Sequence, residues 1–524
     1  MITCAPLMQV YSQAFDWVQS DSVPYSMNPS LLETAVHFDN VNNRVLNSKT
    51  DTVAMIFGSF ALGTSFIENR NPAGQLQWQY RIGDLAMVQR MTSDLAGNVY
   101  AAGVYQQTLY LGTNDSLEFI IGGMAFQNTF LIKLDPQGNL IWKRNITVAW
   151  PDYEGVEALS MDPTGNCWYT LTDFFIAKIV QIDGNGVDQV IHTIDNGKRI
   201  GNVSFDPWGG MYVSGAATNG NFIMDTDTFP VTEAYNMFIA RYNPMGQPSW
   251  AYFGHDVTFQ KPMVIADQFG NAFMAGNRYD TTSFNGMFFT YPYLGSDFFA
   301  LKIDSSGVVK WGLQQPQLMI GPFGTFEQGS NLMVGVDSTG KYYMGGIQRG
   351  TVDWGNGFIS STAIGTDRQI AVNCIDVAGK VQWVKMGGCA SGNYMHALSV
   401  SAGGDCYFTG SFQDTAVFDT ILITTTNIYN FTIGKINPNI TIGLNEIQDS
   451  EVLLYPNPAT DFIFLPEELM NSQMEMFDVS GKLINSNNNI SDRTLNIEKL
   501  VPGIYSLVFR NEKSVTHSKI VVMN

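Results

Sequence analysis

The sequence predicts an all-β protein: a seven-bladed β-propeller closed by its own N-terminal strand, followed by a small Ig-like β-sandwich. Three observations carry this expectation. Aromatic residues make up 13% of the 524 residues and Gly accounts for 50, a mix that favours strands and tight turns over helices. A short turn phrase recurs six times, and a tryptophan hairpin phrase alternates with it. After Ile440 the repeat stops and a run of short strands with different punctuation begins.

At the N-terminus, residues 1–14 read as the remnant of an export signal. A modest apolar stretch precedes Ser12-Gln13-Ala14, a small-x-small cleavage pattern, although no Lys or Arg occurs before Arg44. The mature chain is expected to begin at Phe15, with the true translation start further upstream. Next comes "AFDWVQS" (Ala14–Ser20), a Trp-centred strand with no hairpin before it.

The propeller is assigned to residues 15–440. The first phrase reads "DLAGNVY" (Asp94–Tyr100), "DPTGNCWY" (Asp162–Tyr169), "DPWGGMY" (Asp206–Tyr212), "DQFGNAF" (Asp267–Phe273), "DSTGKYY" (Asp337–Tyr343) and "SAGGDCY" (Ser401–Tyr407). Each is a strand end, a turn on Asp and Gly, then a strand rich in aromatic and β-branched residues. The second phrase reads "FLIKLDPQGNLIW" (Phe130–Trp142), "FIARYNPMGQPSW" (Phe238–Trp250), "FALKIDSSGVVKW" (Phe299–Trp311) and "AVNCIDVAGKVQW" (Ala371–Trp383), a hairpin ending in Trp. "RNPAGQLQW" (Arg70–Trp78) is an earlier copy, and "FIAKIVQIDGNGVDQV" (Phe175–Val190) is a version without Trp. With His37–Phe60 as a copy of the first phrase with a longer turn, pairing the phrases gives seven units roughly 45–70 residues apart, long enough for four-stranded blades.

The last pair is incomplete. "FTIGKINPNI" (Phe431–Ile440) supplies a strand and a turn but no Trp strand, and the lone N-terminal strand can supply it. Joining such distant ends adds only about 0.6 kcal/mol of loop entropy per doubling of length. Each large apolar side chain buried at the junction returns about 1.5–3 kcal/mol, and an aggregation-prone edge disappears. The joint pattern resembles the bacterial β-propeller repeats of the SBBP type over most of Phe15–Ile440.

Residues 441–450 read as a linker and 451–524 as the second domain. "EVLLY" stops at "PNPATD"; "FIFLP", "MEMFDV", "KLI", "RTLNIEKL", "IYSLVFR" and "SKIVVM" follow. Such spacing predicts a small sandwich without cysteines, and Pro502-Gly503 is expected in a type II turn. The set "LYPNPATD", "FDVSGKLI", "LVPGIYSLVF" and "SKIVVM" resembles the type A C-terminal sorting domain of the type IX secretion system. Its motif positions here are Tyr455, Pro456, Asn457, Pro458, Asp478, Gly481, Lys482, Pro502, Gly503, Tyr505 and Lys519. The resemblance implies a Bacteroidota-type Gram-negative cell, the type IX secretion machinery as partner, and a secreted or outer-cell-surface destination.

Chemistry is sparse. Five His are scattered with no metal-ligand spacing, and no nucleophile elbow or P-loop occurs, so no catalytic, cofactor-binding or metal residues are expected. "DGNGVD" (Asp183–Asp188) lacks the spacing of a calcium loop and reads as a turn. Five cysteines without C-x-x-C predict buried thiols; a Cys374–Cys389 disulfide is the one pairing considered. Lys133, Lys178, Arg241, Lys302 and Lys435 recur at similar places. They read as scaffold cations beside the following turn's Asp or Asn, with a cation ring for an anionic glycan as the alternative. The aromatic insertions at Thr113–Phe130 and Phe284–Phe299 read as extended hairpins and as candidate binding loops.

A net charge of -19 argues against nucleic acid and anionic lipid as partners, and no apolar run reaches the roughly 18 residues of a membrane helix. The expectation is a non-enzymatic propeller that binds a glycan or a protein. The alternative is a polysaccharide hydrolase or lyase using the propeller channel, and a structural adhesion role is the third reading.

Overall fold

The Asp–x–x–Gly turns set the fold. In each, the Asp carboxylate accepts backbone N–H groups two and four residues on, as Asp135 Oδ1 does from Gln137 (2.9 Å) and Asn139 (2.8 Å). The Gly then takes positive φ, 87° at Gly138, where a side chain would be strained. Strands leave such a turn antiparallel, and the computed structural model is built almost entirely of these hairpins. It describes residues 11–21, 33–57, 60–113, 115–120, 127–146, 151–173, 176–292, 295–316, 324–329, 331–362, 368–390, 392–425, 430–441, 450–451, 454–479, 482–487, 489–510 and 515–523. The export-signal positions 1–10 and most of the linker lie outside this set. Among the described residues helix is limited to one 3-10 turn, Glu467–Leu469.

Contacts divide the chain into two compact units, Gln13–Ile440 and one built on Thr441–Asn524. In the larger unit six antiparallel sheets follow in chain order. The first has seven strands, from Val36–Asp39 to Leu140–Ile146. Its long strand Leu76–Ser93 pairs with Phe60–Arg70 through its first half and with Val99–Tyr105 through its second. The change of partner falls at Gly83 and Leu85, both at positive φ, so this sheet is two four-stranded meanders sharing one strand.

The second sheet runs from Pro151–Met161 to Asp188–Asp195 and adds the hairpin Gly220–Met224/Asp227–Val231. The third comprises Gly197–Phe205, Met211–Ala217, Asn236–Tyr242 and Pro248–His255. The fourth comprises Met263–Ala266, Ala272–Arg278, Asp297–Ile303 and Val309–Gln314. The fifth is built on Tyr342–Arg349, Gln369–Ile375 and Val381–Gly387. The sixth takes Tyr394–Val400, Cys406–Phe412 and Asn430–Thr441 and is completed by Tyr11–Ser20 from the other end of the chain.

The leading strand of each meander packs on the next, from Val36–Asp39 through to Tyr394–Val400. The order returns to its start: Tyr394–Val400 packs on Val36–Asp39, and Phe38 N donates to Ser399 Oγ (2.8 Å). Central strands such as Val99–Tyr105, Asn128–Leu134 and Cys406–Phe412 are buried at every position, because a sheet lies on each face. Outer strands are mostly half-buried or exposed.

The insertions read from sequence are one case of a wider pattern. Between the second and third strands, five meanders carry a short hairpin: Leu109–Leu111/Asp115–Leu117, Gly220–Met224/Asp227–Val231, Thr282–Phe284/Met287–Phe289, Thr351–Asp353/Ile359–Ser361 and Thr415–Phe418/Ile421–Thr424. Each buries apolar side chains in the core, among them Leu109, Phe222, Phe284, Trp354 and Phe418. Part of Thr113–Phe130 lies outside the described residues.

All four described cysteines are free buried thiols, so Cys374 and Cys389 are not bridged. Burial pushes the Cys374 thiol up to about 12, which makes it inert.

Two buried histidines give the fold a pH signature. Loss of hydration pushes His37 and His396 down to about 4, and each ring Nε2 is within hydrogen-bond reach of a hydroxyl, Ser93 (2.9 Å) and Ser411 (3.1 Å). Between about pH 6.5 and 4 the unfolded chain binds protons that the native chain refuses, so stability falls as the pH drops through that window. Urea unfolding at pH 7 and pH 5 is expected to show a lower midpoint at pH 5. The His37→Gln/His396→Gln double variant should lose this fall and be left with the opposite trend of Asp297, whose carboxyl is pushed up to about 7 by burial, so that its protonation favours the native state at pH 5. A fall as large as in the unsubstituted protein would contradict the assignment.

Candidate functional site

The meander interfaces are joined by one repeated clasp. A Trp on the outer strand of one meander donates its Nε1–H to a turn carbonyl of the next. The pairs are Trp17 to Pro72 (2.9 Å), Trp78 to Pro136 (3.0 Å), Trp142 to Gly184 (2.9 Å), Trp250 to Ser305 (3.1 Å) and Trp311 to Val377 (3.0 Å). The indole often lies flat on the turn glycine. A Cβ on Gly138 would sit 2.8 Å from a Trp78 ring carbon, and one on Gly379 would sit 2.7 Å from Trp311. The repeated tryptophans are thus packing elements between sheets.

The repeated cations are internal as well. Lys133 lies 3.5 Å from Asp94, Arg241 2.9 Å from Asp206, Lys302 3.7 Å from Asp267 and Lys435 3.2 Å from Asp405. Each also lies over an aromatic ring, as Lys133 does over Tyr100 at 4.9 Å. Two sequence expectations are corrected here. The acidic partner comes from the preceding turn, on the adjacent strand, and not from the following one. Lys178 is out of register with the set: it pairs with Leu171 and Thr193, while Gln181 holds the position equivalent to Lys133.

Among the described residues two interfaces lack this bond. At one, Trp383 is present but packs edge-on to Tyr343 (5.9 Å), while Ala402 O accepts from Ser338 instead. At the other the tryptophan itself is missing. In the second sheet Val190 pairs with Gln181 as Trp142 pairs with Lys133. The facing turn of the third sheet, Asn243–Gln247, is intact, yet a cleft of about 410 Å³ opens beside it. Its walls include Trp168, His192, Phe205, Trp208, Tyr242 and Pro244. His192 stacks parallel to Trp168 with ring centroids 5.9 Å apart, and its Nδ1 is held 2.8 Å from Asp225 Oδ2. Trp208 is 64% exposed at the mouth. The Tyr242 hydroxyl is buried with no hydrogen-bond partner among the described residues.

Asp162, at the edge of the cleft, is an anion already saturated with donors. Its Oδ2 accepts from Trp168 Nε1 (3.0 Å), Asn166 Nδ2 (3.0 Å) and Gln181 Nε2 (3.2 Å). Burial alone would raise its carboxyl, but these bonds outweigh it and hold the group below its ordinary range.

A second polar gathering lies among the leading strands. Glu157 Oε2 accepts from Ile200 N (2.9 Å) and from Thr172 Oγ1. Arg90 donates Nε to Glu157 O (2.6 Å) and lies 3.5 Å from Glu33. Asn331 Nδ2 donates to Thr34 O (2.9 Å) and Gln89 O (3.0 Å). Lys261, in the field of Glu157 and Arg199, is pushed down to about 8 by lost hydration. Among the described residues no group of His, Cys, Asp and Glu is arranged to hold a metal ion. Asp183 in "DGNGVD" spends Oδ1 on Asn185 N and Val187 N, both 2.9 Å, inside its own turn.

In the C-terminal unit a five-stranded sheet and a two-stranded sheet enclose a core around Leu454, Ile463, Met476, Leu507 and Ile520. Asn457, between Pro456 and Pro458, ties its segment to the last strand: Nδ2 donates to Lys519 O (2.7 Å) and Oδ1 accepts from Val521 N (2.8 Å). Asp478 and Lys482 close a hairpin through Lys482 N to Asp478 Oδ1 (3.1 Å), and Gly481 lies outside the described residues. Tyr505 donates its hydroxyl to Val501 O (2.7 Å), and Tyr455 is exposed beside Phe464. Gly503 opens the strand Gly503–Arg510 without positive φ, so the expected type II turn at Pro502-Gly503 is not formed.

Residues 453–523 match the family model described as a secretion system C-terminal sorting domain. The chain therefore carries a type IX secretion address and is destined for the cell surface or the outside. No helix among the described residues is long and apolar enough to cross a membrane. A search of the curated proteins found no match. Solved structures with similarity include the hydrazine synthase of Kuenenia stuttgartiensis, 9% identical, covering 78% of this chain and 99% of its own, TM-score 0.44. A protein of unknown function from Bacteroides caccae is 10% identical over 65% of this chain and 93% of its own, TM-score 0.34. Puromycin hydrolase is 9% identical over 97% of this chain and 63% of its own, TM-score 0.30. Likenesses this weak carry no argument about activity.

Proposed function

We propose that the chain is an exported, non-enzymatic β-propeller of seven blades that binds a glycan or a protein at the cell surface. The blade reading draws its support from the cyclic packing of leading strands and from Tyr11–Ser20 completing the sixth sheet. On this reading the seven-stranded sheet contributes two blades of the SBBP type. The binding reading rests on one observation: a scaffold that places a tryptophan at its other meander interfaces has none at this one, where a cleft lined with aromatic rings opens instead. Full-length protein applied to glycan arrays and to arrays of extracellular proteins is expected to give discrete ligands. Trp208→Ala should weaken them by roughly tenfold, as loss of an exposed aromatic anchor does. Discrete ligands whose affinity ignores Trp208 would overturn the use of this cleft, and no ligand at all would overturn the binding reading.

The second reading, a polysaccharide hydrolase or lyase in the channel, is favoured by the convergence of Glu33, Glu157, Arg90 and Lys261. It predicts turnover on a polysaccharide panel that Glu157→Gln abolishes. Against it, Oε2 of Glu157 is committed to Ile200 N and Thr172.

A further inference from the structure

We propose that the cleft between the second and third sheets is a slot for a tryptophan side chain presented by a protein partner. The inference rests on the reading of the chain as a binding protein and specifies the ligand of the same cleft.

The chain supplies its own template. At five equivalent interfaces an indole fills this place, and its Nε1–H meets the carbonyl that follows the turn's first residue: Pro72, Pro136, Gly184, Ser305 or Val377. At the exceptional interface that carbonyl is Pro244 O. The receiving turn is built like the others. Asn243 Oδ1 accepts from Met245 N (2.9 Å) and Gln247 N (3.1 Å), and Gly246 takes φ 73°. Pro244 lines the cleft, and its carbonyl receives no hydrogen bond among the described residues. The receiver is kept while the indole is missing.

What stands in for the indole fills only part of the space. Val190 is too short to reach the turn. His192, two residues on, comes to 3.4 Å of the place of a Cβ on Gly246, against 2.8 Å for Trp78 on Gly138. Its tie to Asp225 holds it against Trp168, and the cleft of about 410 Å³ remains.

The chemistry also separates an indole from a sugar. A sugar ring needs hydroxyl partners beside its aromatic platform, and the nearest carboxylate, Asp162, is saturated by its own donors. An indole needs apolar walls and one acceptor, which Phe205, Trp168 and Pro244 O provide. Asp162 in the lining, with Asp225 paired to His192, disfavours an acidic flank, so the partner segment is a neutral or basic peptide containing Trp.

N-acetyl-L-tryptophanamide is the probe, observed by saturation-transfer NMR with the full chain. It is expected to bind, with the indole protons receiving most of the transfer. N-acetyl-L-phenylalaninamide, which lacks the N–H donor, should bind about tenfold more weakly. Val190→Trp restores the missing clasp in cis; it should abolish probe binding and raise the unfolding midpoint. Val190→Phe fills the slot with a smaller ring and is judged by the same loss if Val190→Trp does not fold. Probe binding that survives a folded Val190→Trp or Val190→Phe would overturn the proposal, and so would the absence of transfer in the unsubstituted protein. A glycan that binds and is lost in Val190→Trp, with no tryptophanamide binding, would overturn this inference and leave the broader binding reading standing.

Discussion

Removal of Phe15–Ser20 is expected to collapse the cooperative unfolding of the larger unit. Phe15 is buried edge-on against Phe418 (5.0 Å) and Phe408 (6.0 Å), and its backbone N–H donates to Asp419 (2.9 Å). Asp16 pairs with Lys435 at 3.0 Å, Trp17 reaches Pro72, and Val18 is buried beside Gly434. Phe15→Ala alone should cost about 3–5 kcal/mol, the usual toll for a buried aromatic. Deleting the segment adds the loss of Val18, the Trp17 clasp and a whole strand ladder, and leaves Asn430–Thr441 as a bare edge. Against a typical stability of about 5–15 kcal/mol, little would remain. The measurement is urea unfolding followed by near-UV circular dichroism, with a synthetic Phe15–Ser20 peptide added back. A truncated chain that unfolds at the full-length midpoint would refute the role given to this strand.

Asp206→Ala is expected to be the most damaging single change near the cleft. The Asp206 carboxylate is 1% exposed and accepts from Trp208 N (3.0 Å), Gly210 N (2.8 Å) and Arg241 Nη2 (2.9 Å). Without it the Arg241 guanidinium is a buried charge over the Tyr212 ring at 5.2 Å, with no other ion pair among the described residues. Breaking one side of such a pair costs about 3–5 kcal/mol, because the remaining charge stays desolvated. Arg241→Met in the Asp206→Ala background should recover part of the loss. A double variant as unstable as the sum of the singles would show that the two side chains are not coupled.

Much of this architecture was legible in the sequence because its signals are local. An Asp that bonds its own backbone and a Gly at positive φ write a hairpin into five residues, and the Trp that follows marks the outer strand. Val190 was visible as the place where Trp is missing. What the missing indole leaves behind was not visible, because the cleft is made by three turns far apart in sequence, Asp162–Asn166, Pro207–Gly209 and Asn243–Gly246. Trp208, Tyr242 and Pro244 were missed for that reason; the intact Asn243–Gly246 turn opposite Val190 was the available clue. Lys178 misled because it lies three residues from its true counterpart, and spacing without register cannot choose between neighbouring positions on a strand. The five short hairpins share apolar residues around a turn, a weaker repeat than the Asp–x–x–Gly phrase.

The contact between Asp16 and Lys435 spans 419 positions of the polypeptide. A ribosome must therefore deliver almost everything before the two ends can meet, and a prematurely terminated product is left with unmatched ends. Such a product offers chaperones and proteases an open ladder that the finished molecule does not. The seam thus distinguishes a product that extends through Thr441 from any shorter one, which keeps the mark of its incompleteness.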